Sequence, residues 1–514
     1  MEPIAPADPR TEIVVPDACT GETLAVLERV DAGGAAEHVR AAAEAQRAWA
    51  AEPVTARSAM VRRVTEALVA EAASLAMTLQ RAQGLCRFDA IVREVLPCVD
   101  AGQWYAERAE ETLADDEVSP HLRPHRSGAV AYRPHGVVAL FSPWNAALAE
   151  PLTIAFEALL AGNAVVWKPS LRAVLPAVRA VEIALREGLP SGLLSVVAGD
   201  REAADALIDT GARFAAFVGS RNAARRVAMR CAREGVPHVT TVAGKTTLLA
   251  CADADLERVA RAIVAGRFVH AGQRRDAVER VVAHAALVPS LVARVSELVA
   301  SLRVGDPARE AVDLGPCLHP SRAAMLRVVV EEAVHGGASL RASARLTHGG
   351  GPGSWFAPTL LADVAPHARA AREALHGPVL PVLTAASHAD ALALANDGAG
   401  GPFAYVFTES RERAAALAAG LDASVVLHDD VFAAESAVDA PADATTPGCG
   451  GALHGPDGLL RMCRVQHRSG PAMAMPARDP GWPPYGPLRD GAAMRGLRTV
   501  FGRNALAGRL GDMF

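Results

Sequence analysis

Residues 136–145 read Gly-Val-Val-Ala-Leu-Phe-Ser-Pro-Trp-Asn, and residues 161–170 read Ala-Gly-Asn-Ala-Val-Val-Trp-Lys-Pro-Ser. Each stretch is a short apolar run that ends in a turn, which predicts a buried strand. From there to about residue 250, strand-like runs alternate with helical runs. The further strands are expected at 193–198, 213–218 and 246–250. Such alternation is typical of βαβ units on a parallel sheet, so the sequence predicts an α/β fold.

The flanking sequence has a different character on each side of this stretch. Residues 31–113 place apolar residues at helical spacing, and a second α/β stretch is expected from about 254 to 435. Its strands are predicted near 278–282, 378–383 and 403–407. Residues 471–490 hold six prolines, which indicates an extended linker, and 492–514 form a basic, partly amphipathic segment. Two interpretations of that tail stay open: a helix docked on its own subunit, and a membrane-surface anchor.

Composition restricts the class of protein. In 514 residues, 51% are hydrophobic and the net charge is −5, which excludes a mainly disordered chain and shows no basic excess for nucleic acid. The eight cysteines show no C-x-x-C pair, which favours reduced thiols and a cytoplasmic location. Neither a signal peptide nor a spanning helix is expected. The histidines are scattered without ligand spacing, so no metal site is predicted.

Lysine is nearly absent from this arginine-rich chain. Only Lys168 and Lys245 are lysine, and the other 50 basic residues are arginine. Because an ammonium and a guanidinium are not interchangeable, a retained lysine indicates a position where arginine would not serve.

Both lysines fall in a series of motifs that recur in a fixed order. After the two quoted strands the series continues with Gly188–Gly192, Phe217–Ser220, Ala243–Lys245, Ala271–Gln273, Phe356–Thr359, His376–Val379 and Val406–Thr408. In order and spacing the series resembles the NAD(P)-dependent aldehyde dehydrogenase superfamily over roughly residues 10–470.

The resemblance implies a three-part, aldehyde dehydrogenase-like α/β fold. It has a Rossmann-type cofactor domain, an α/β catalytic domain and a small β flap that pairs subunits into dimers or tetramers. The implied ranges are 1–117 with 136–243 for the cofactor domain, 244–440 for the catalytic domain, 118–135 with 455–470 for the flap, and 471–514 for the linker and tail. NAD or NADP is the implied cofactor.

The resemblance also assigns roles to individual residues. In this family a cysteine thiolate attacks the aldehyde, an amide stabilises the oxyanion, hydride passes to the nicotinamide, and a glutamate activates water. Asn145 matches the oxyanion asparagine. The residues that match cofactor contacts are Trp144, Lys168, Ser170, Gly219 and Ser220.

Two catalytic positions depart from the family pattern. Arg275 stands where the cysteine is expected, and its guanidinium offers no lone pair for attack. Thr241 stands where the glutamate is expected, and a hydroxyl is a poor base near neutral pH. Contacts to the cofactor change as well, at Leu171, Arg201 and Ala374, so we expect weakened or lost cofactor binding.

Three functions follow from this pattern. The first is a catalytically degenerate homologue that binds, scaffolds or regulates a partner, including an active paralogue in mixed oligomers. The second is an oxidoreductase that acts on aldehydes with NAD(P)⁺ by altered chemistry. The third is a peripheral membrane or assembly module that acts through the arginine-rich tail.

Several nearby residues have two interpretations. For Arg274-Arg275 these are an ion-paired filler, with Asp276 or Glu279 as partner, and an anion-binding tunnel. His270 is expected to pack or hydrogen bond rather than act as a base. Replacement nucleophiles are not expected among the cysteines, including Cys449 on its glycine-rich loop and Cys251 after a strand.

Overall fold

The structure, a computed structural model, describes residues 8, 10–118, 126–309, 311–344, 346, 354–398, 400–432, 453–455, 457–472 and 482–501. The helices are Ala32–Ala51 (α1), Val54–Ala70 (α2), Ala72–Gln83 (α3), Arg87–Ala90 (α4), Leu96–Thr112 (α5), Ala149–Leu160 (α6), Val174–Arg186 (α7), Arg201–Asp209 (α8), Arg221–Glu234 (α9), Leu256–Phe268 (α10), Val288–Ala300 (α11), Pro320–His335 (α12), Arg369–Arg372 (α13), His388–Asn396 (α14), Arg411–Gly420 (α15), Gly458–Arg461 (α16) and Pro487–Phe501 (α17). The strands are Glu12–Pro16 (β1), Thr23–Glu28 (β2), Asp116–Val118 (β3), Arg126–Pro134 (β4), Val137–Ser142 (β5), Ala164–Pro169 (β6), Leu194–Val196 (β7), Phe214–Gly219 (β8), His238–Val242 (β9), Thr247–Ala250 (β10), Arg280–His284 (β11), Ser339–Ser343 (β12), Thr359–Ala362 (β13), Val379–Ala385 (β14), Phe403–Phe407 (β15), Val425–His428 (β16) and Cys463–Pro471 (β17).

Five of these strands form a parallel sheet in the order β7-β6-β5-β8-β9. Every residue of β5 is buried, as expected for a strand of a parallel sheet that is covered on both faces. The strand order reverses at β5, which pairs with both β6 and β8. In sheets of this type, ligands bind at the carboxyl ends of the strands beside that reversal. The predicted Rossmann-type α/β architecture is confirmed.

The second sheet has the order β12-β13-β14-β11-β10-β15-β16. Its strands are parallel except for β12, which runs antiparallel to β13. The chain passes from the first sheet to the second between Val242 and Thr247. This crossing segment follows Thr241 and contains Lys245, and its Ala243 lines the cleft described below.

The chain divides into two compact units. One comprises Met1–Ala114 with Tyr132–Val465, and the other comprises Asp115–Ala131 with Gln466–Phe514. The second unit contains β3 and most of β4 and β17, in a three-stranded sheet of order β17-β4-β3. The cofactor-domain, catalytic-domain and flap boundaries given above stay predictions.

The tail differs in one respect from its sequence-based description. The extended linker was expected to run to residue 490, but α17 begins at Pro487. Proline suits this position because its fixed φ and missing N–H are both tolerated in the first helical turn. Much of the predicted linker, 473–481, and the end of the tail, 502–514, lie outside the described residues. Within the part of the chain that the structure describes, no helix has the length and apolar character needed to cross a membrane.

Candidate functional site

A cleft of about 760 Å³ opens at the carboxyl ends of β5, β6 and β8. All but one of the residues assigned to the site from sequence line it: Trp144, Asn145, Lys168, Ser170, Gly219, Ser220 and Arg275. The exception, Thr241, is buried behind Arg275. The structure therefore brings the proposed cofactor contacts and both altered catalytic positions together.

One end of the cleft has the features of a phosphate site. Ser220 caps α9, and its Oγ accepts a hydrogen bond from the Ala223 N–H at 3.4 Å. The first-turn amides of a helix attract anions. Lys168 lies nearby on β6, where burial lowers the pKa of its ammonium and Asp200 opposes that shift. At Gly219, the last residue of β8, an added Cβ would approach the Phe217 ring to 2.8 Å, so a side chain there would have to displace that ring. This end fits the diphosphate of a dinucleotide.

Asn145 lies at the other end, after β5. Its Nδ2 donates a hydrogen bond to the backbone oxygen of Gln273 at 2.6 Å. That bond ties the asparagine to the loop that carries Arg275. The amide group assigned to the oxyanion therefore lies beside the nucleophile position, as the family chemistry requires.

Arg275 is buried and held in a closed environment. One guanidinium nitrogen lies 2.9 Å from Glu150 Oε1, and another lies 3.5 Å from Thr241 Oγ1. The guanidinium carbon is 5.0 Å from the centre of the Phe403 ring. The two altered catalytic positions thus contact each other, and a carboxylate neutralises the arginine.

Glu150 owes its position to the start of α6. The helix has no capping side chain of its own, and Glu94 accepts hydrogen bonds from Leu148 N–H at 2.8 Å and Ala149 N–H at 3.0 Å. Burial raises the pKa of Glu94, while those backbone donors oppose the shift. A carboxylate in the first turn of a helix is also favoured by the helix dipole. Glu150 is therefore fixed beside Arg275, outside the lining of the cleft.

The structure corrects one sequence-based expectation about the arginine pair. Arg274 binds Asp276 through two hydrogen bonds of 2.9 Å, as expected. Arg275 does not pair with Asp276 or Glu279, however; its partner is Glu150, 125 positions earlier in the chain. The only sequence signal was that Glu150 is one of two acidic residues, with Glu157, in the largely apolar helix that follows Asn145.

Lys245 does not reach the cleft, although its motif belongs to the family pattern. It is buried, and its Nζ donates to Ala370 O at 2.8 Å and Glu373 O at 2.7 Å. Burial lowers its pKa to about 7, and Glu279, 3.5 Å away, opposes that shift. A compact ammonium satisfies two converging carbonyls that a planar guanidinium would fit poorly. This lysine is structural.

Two aspartates that precede α10, Asp253 and Asp255, have structural partners. Asp255 caps α10 by accepting from Arg258 N–H at 2.7 Å, and Asp253 accepts from the hydroxyl of Thr408. Cys251 is buried, which raises the pKa of its thiol to about 11. Cys449 lies outside the described residues. Among the residues that the structure describes, no three His, Cys, Asp or Glu side chains are grouped to hold a metal ion.

His270 lies in the strained loop between α10 and Arg275. Both His270 and Ala271 have a φ of 52°, which is uncommon for residues other than glycine. Burial and the Arg274 charge lower the pKa of His270 to about 3. The imidazole is therefore neutral in the folded protein at all ordinary pH values.

This neutral histidine makes stability depend on pH. The unfolded chain binds a proton at His270 below about pH 6.5, and the folded chain does not until about pH 3. Its contribution to stability is therefore present above pH 6.5 and is lost as pH falls, by up to about 1.4 kcal/mol per pH unit. We expect His270→Asn, which keeps a residue tolerant of positive φ, to flatten the pH dependence of urea unfolding between pH 6 and 4. The exposed His367→Asn should leave the slope unchanged; equal slopes for wild type and His270→Asn would refute this account.

With this geometry in place, the chain can be compared with known proteins. The family model described as "Aldehyde dehydrogenase family" matches residues 4–467. The 4,4'-diapolycopene aldehyde oxidase of Methylomonas sp is 31% identical over 440 residues, which cover 85% of this chain and 81% of that protein. The chain belongs to the aldehyde dehydrogenase family.

Solved structures agree with this assignment. Succinate-semialdehyde dehydrogenase from Burkholderia pseudomallei matches with a TM-score of 0.84 at 25% identity, covering 90% of this chain and 95% of that one. NADP-dependent glyceraldehyde-3-phosphate dehydrogenase from Bacillus halodurans C-125, complexed with NADP, matches with a TM-score of 0.82 at 25% identity, covering 90% and 96%.

Proposed function

We propose that this chain is a catalytically degenerate member of the aldehyde dehydrogenase family that acts by binding, as a scaffold or as a regulator of a partner. The observation that carries the proposal is the buried Arg275–Glu150 ion pair at the nucleophile position, in contact with Thr241. Arginine stays protonated and has no lone pair to donate. The one carboxylate against it is engaged in the ion pair, so neither Arg275 nor Thr241 offers the nucleophile or the base that ordinary aldehyde oxidation uses.

The cofactor cleft supports retained but weakened binding of NAD or NADP. When bound, the nicotinamide supplies the hydride acceptor of this family's chemistry. Gly219, Ser220 and Lys168 would hold the phosphates and ribose, with Trp144 and Ser170 beside them. Leu171 and Arg201 also line the cleft and replace family contacts, which is the reason to expect reduced affinity.

Family membership and the flap sequence support a homo-oligomer, a dimer or tetramer, that can also include an active paralogue. A cytoplasmic location and no nucleic-acid partner remain part of the proposal. A third role is binding to a membrane surface through the basic tail. The apolar side chains of Met494, Leu497 and Phe501 on α17 support it, because each is at least half exposed.

A second candidate function is oxidation of aldehydes by altered chemistry. The named activities of the Methylomonas and Burkholderia relatives favour it, as do the retained Asn145, Lys168 and Ser220. It requires another nucleophile in place of the family cysteine, since no cysteine is among the described residues that line the cleft.

Cofactor titration tests the binding half of the proposal. We expect NAD⁺ or NADP⁺ to quench the fluorescence of Trp144, which lines the cleft. Lys168→Ala should weaken binding by about tenfold or more, since it removes a charged hydrogen-bond donor. Arg179→Ala, on the exposed face of α7, is the matched control and should bind normally. Absence of binding at millimolar concentration would overturn the proposal that the cleft holds a nucleotide.

A further inference from the structure

Both ends of the cleft carry cationic side chains, but only one end carries carboxylates as well. Asp200 and Asp205, at the end formed by Lys168 and Ser220, are the only carboxylates among the described residues that line it. Toward Asn145 the lining contains Arg172, Arg275 and Arg322 but no acidic side chain. The position where the family has a glutamate is Ala374. This end of the cleft has therefore become cationic.

Only one of these three arginines is neutralised. Arg275 is paired with Glu150. Arg322 donates to the backbone oxygen of Leu375 at 3.3 Å, and neither it nor Arg172 forms an ion pair with a carboxylate among the described residues. Burial is the larger cause of a lowered pKa at His319, and the charges of Arg172 and Arg322 lower it further. Both arginines therefore lie near the His319 imidazole. Two positive charges thus remain at this end of the cleft.

A dinucleotide bound with its phosphates at α9 would place its nicotinamide toward Asn145, Arg172 and Arg322 in the same cavity. The oxidised nicotinamide ring carries a positive charge, and the reduced ring is neutral. The rest of the two molecules is identical. A positive field at the ring therefore repels NAD(P)⁺ and leaves NAD(P)H unaffected.

We infer that the cleft selects the reduced nucleotide, NAD(P)H, over the oxidised nucleotide, and that Arg322 and Arg172 determine this preference. The inference rests on the proposed function, that the cleft binds a nicotinamide nucleotide. It describes binding alone and involves no bond change. An active dehydrogenase must bind NAD(P)⁺ in order to oxidise its substrate. A degenerate relative with this charge pattern binds the reduced nucleotide in preference to the oxidised one.

Calorimetric titration of the full chain with NADPH and NADP⁺, and with NADH and NAD⁺, tests the inference. We expect the reduced form to bind at least about tenfold more tightly than the oxidised form. Arg322→Gln and Arg172→Gln should each lower that ratio toward one, mainly by improving the affinity for the oxidised form. Arg221→Gln, at the phosphate end, is the matched control and should weaken both forms equally without changing the ratio.

The outcomes separate the inference from the proposed function. Equal affinities, or tighter binding of the oxidised form, would overturn the inference while the proposed nucleotide cleft stands. A ratio that survives both Arg322→Gln and Arg172→Gln would also overturn it. Failure of all four nucleotides to bind at millimolar concentration would overturn the proposed function itself.

Discussion

Glu150→Gln is expected to lower the free energy of unfolding by about 3–5 kcal/mol, because it leaves the buried Arg275 guanidinium without its counter-charge. The side chain stays the same size, so lost packing contributes little to this effect. Denaturant unfolding followed by circular dichroism measures the change. The cost arises from the stranded charge and not from the net value of the pair, which for buried ion pairs is often near zero.

A double variant distinguishes these two origins. Glu150→Leu combined with Arg275→Met removes both charges and should restore stability to within about 1 kcal/mol of the wild type, since apolar replacements of buried pairs are often neutral. Glu182→Gln, which removes an exposed partner of Arg179, is the control and should cost no more than about 1 kcal/mol. If Glu150→Gln lowers the free energy of unfolding by no more than Glu182→Gln does, the ion pair does not stabilise the buried Arg275.

The second large effect is expected at Glu279, a buried carboxylate directly before β11. Its Oε1 lies 2.9 Å from a guanidinium nitrogen of Arg267, and its Oε2 lies 3.5 Å from Lys245 Nζ. The carboxylate also accepts hydrogen bonds from Leu375 N–H at 2.7 Å and His376 N–H at 3.1 Å. Burial raises the pKa of Glu279, but Arg267 and Lys245 outweigh that effect and hold the pKa at about 2. Glu279→Gln should cost about 3–5 kcal/mol, since it strands two buried cations.

The same carboxylate gives a pH signature. Its folded pKa lies below its unfolded value of 4.5, so its stabilisation is complete above pH 4.5 and is lost as pH falls toward about 2. Glu279→Gln should remove that acid-dependent part, and amide exchange in residues 374–377 should become faster because two N–H groups lose a charged acceptor. Glu257→Gln, in an exposed arginine network, is the control. Unchanged exchange at 374–377 would contradict this role for Glu279.

Apolar runs in the sequence were sufficient to predict the strands that build the cleft. β5, β6, β8 and β15 are continuous apolar segments, and the structure confirms them. β12, Ser339–Ser343, was not predicted because it is a half-exposed edge strand with no apolar run. β13 was not predicted either, although its four residues, Thr-Leu-Leu-Ala, are the same as those of β10, so this local sequence does not by itself distinguish a strand.

The site shows the same division between local pattern and long-range contact. Motif spacing placed Arg275 and Thr241 at the altered catalytic positions, and it placed Lys168 and Ser220 in the cleft. It could not reveal Glu150 as the partner of Arg275, because the two residues are far apart in the sequence. Glu150 lies on α6, and Arg275 lies in the loop that follows α10. Nor could it separate the two lysines, since only three-dimensional packing shows that Lys245 is enclosed by carbonyl groups.

The central claim is that an ion pair occupies the nucleophile position and that ordinary aldehyde oxidation is absent. The most direct test is the formation of reduced nicotinamide, followed by its absorbance, when the purified chain is given a panel of aldehydes with NAD⁺ or NADP⁺. Asn145→Ala is the matched variant, because it removes the amide assigned to the oxyanion. The account predicts that the wild type forms no more reduced nucleotide than Asn145→Ala does. Turnover by the wild type that is lost in Asn145→Ala would contradict it.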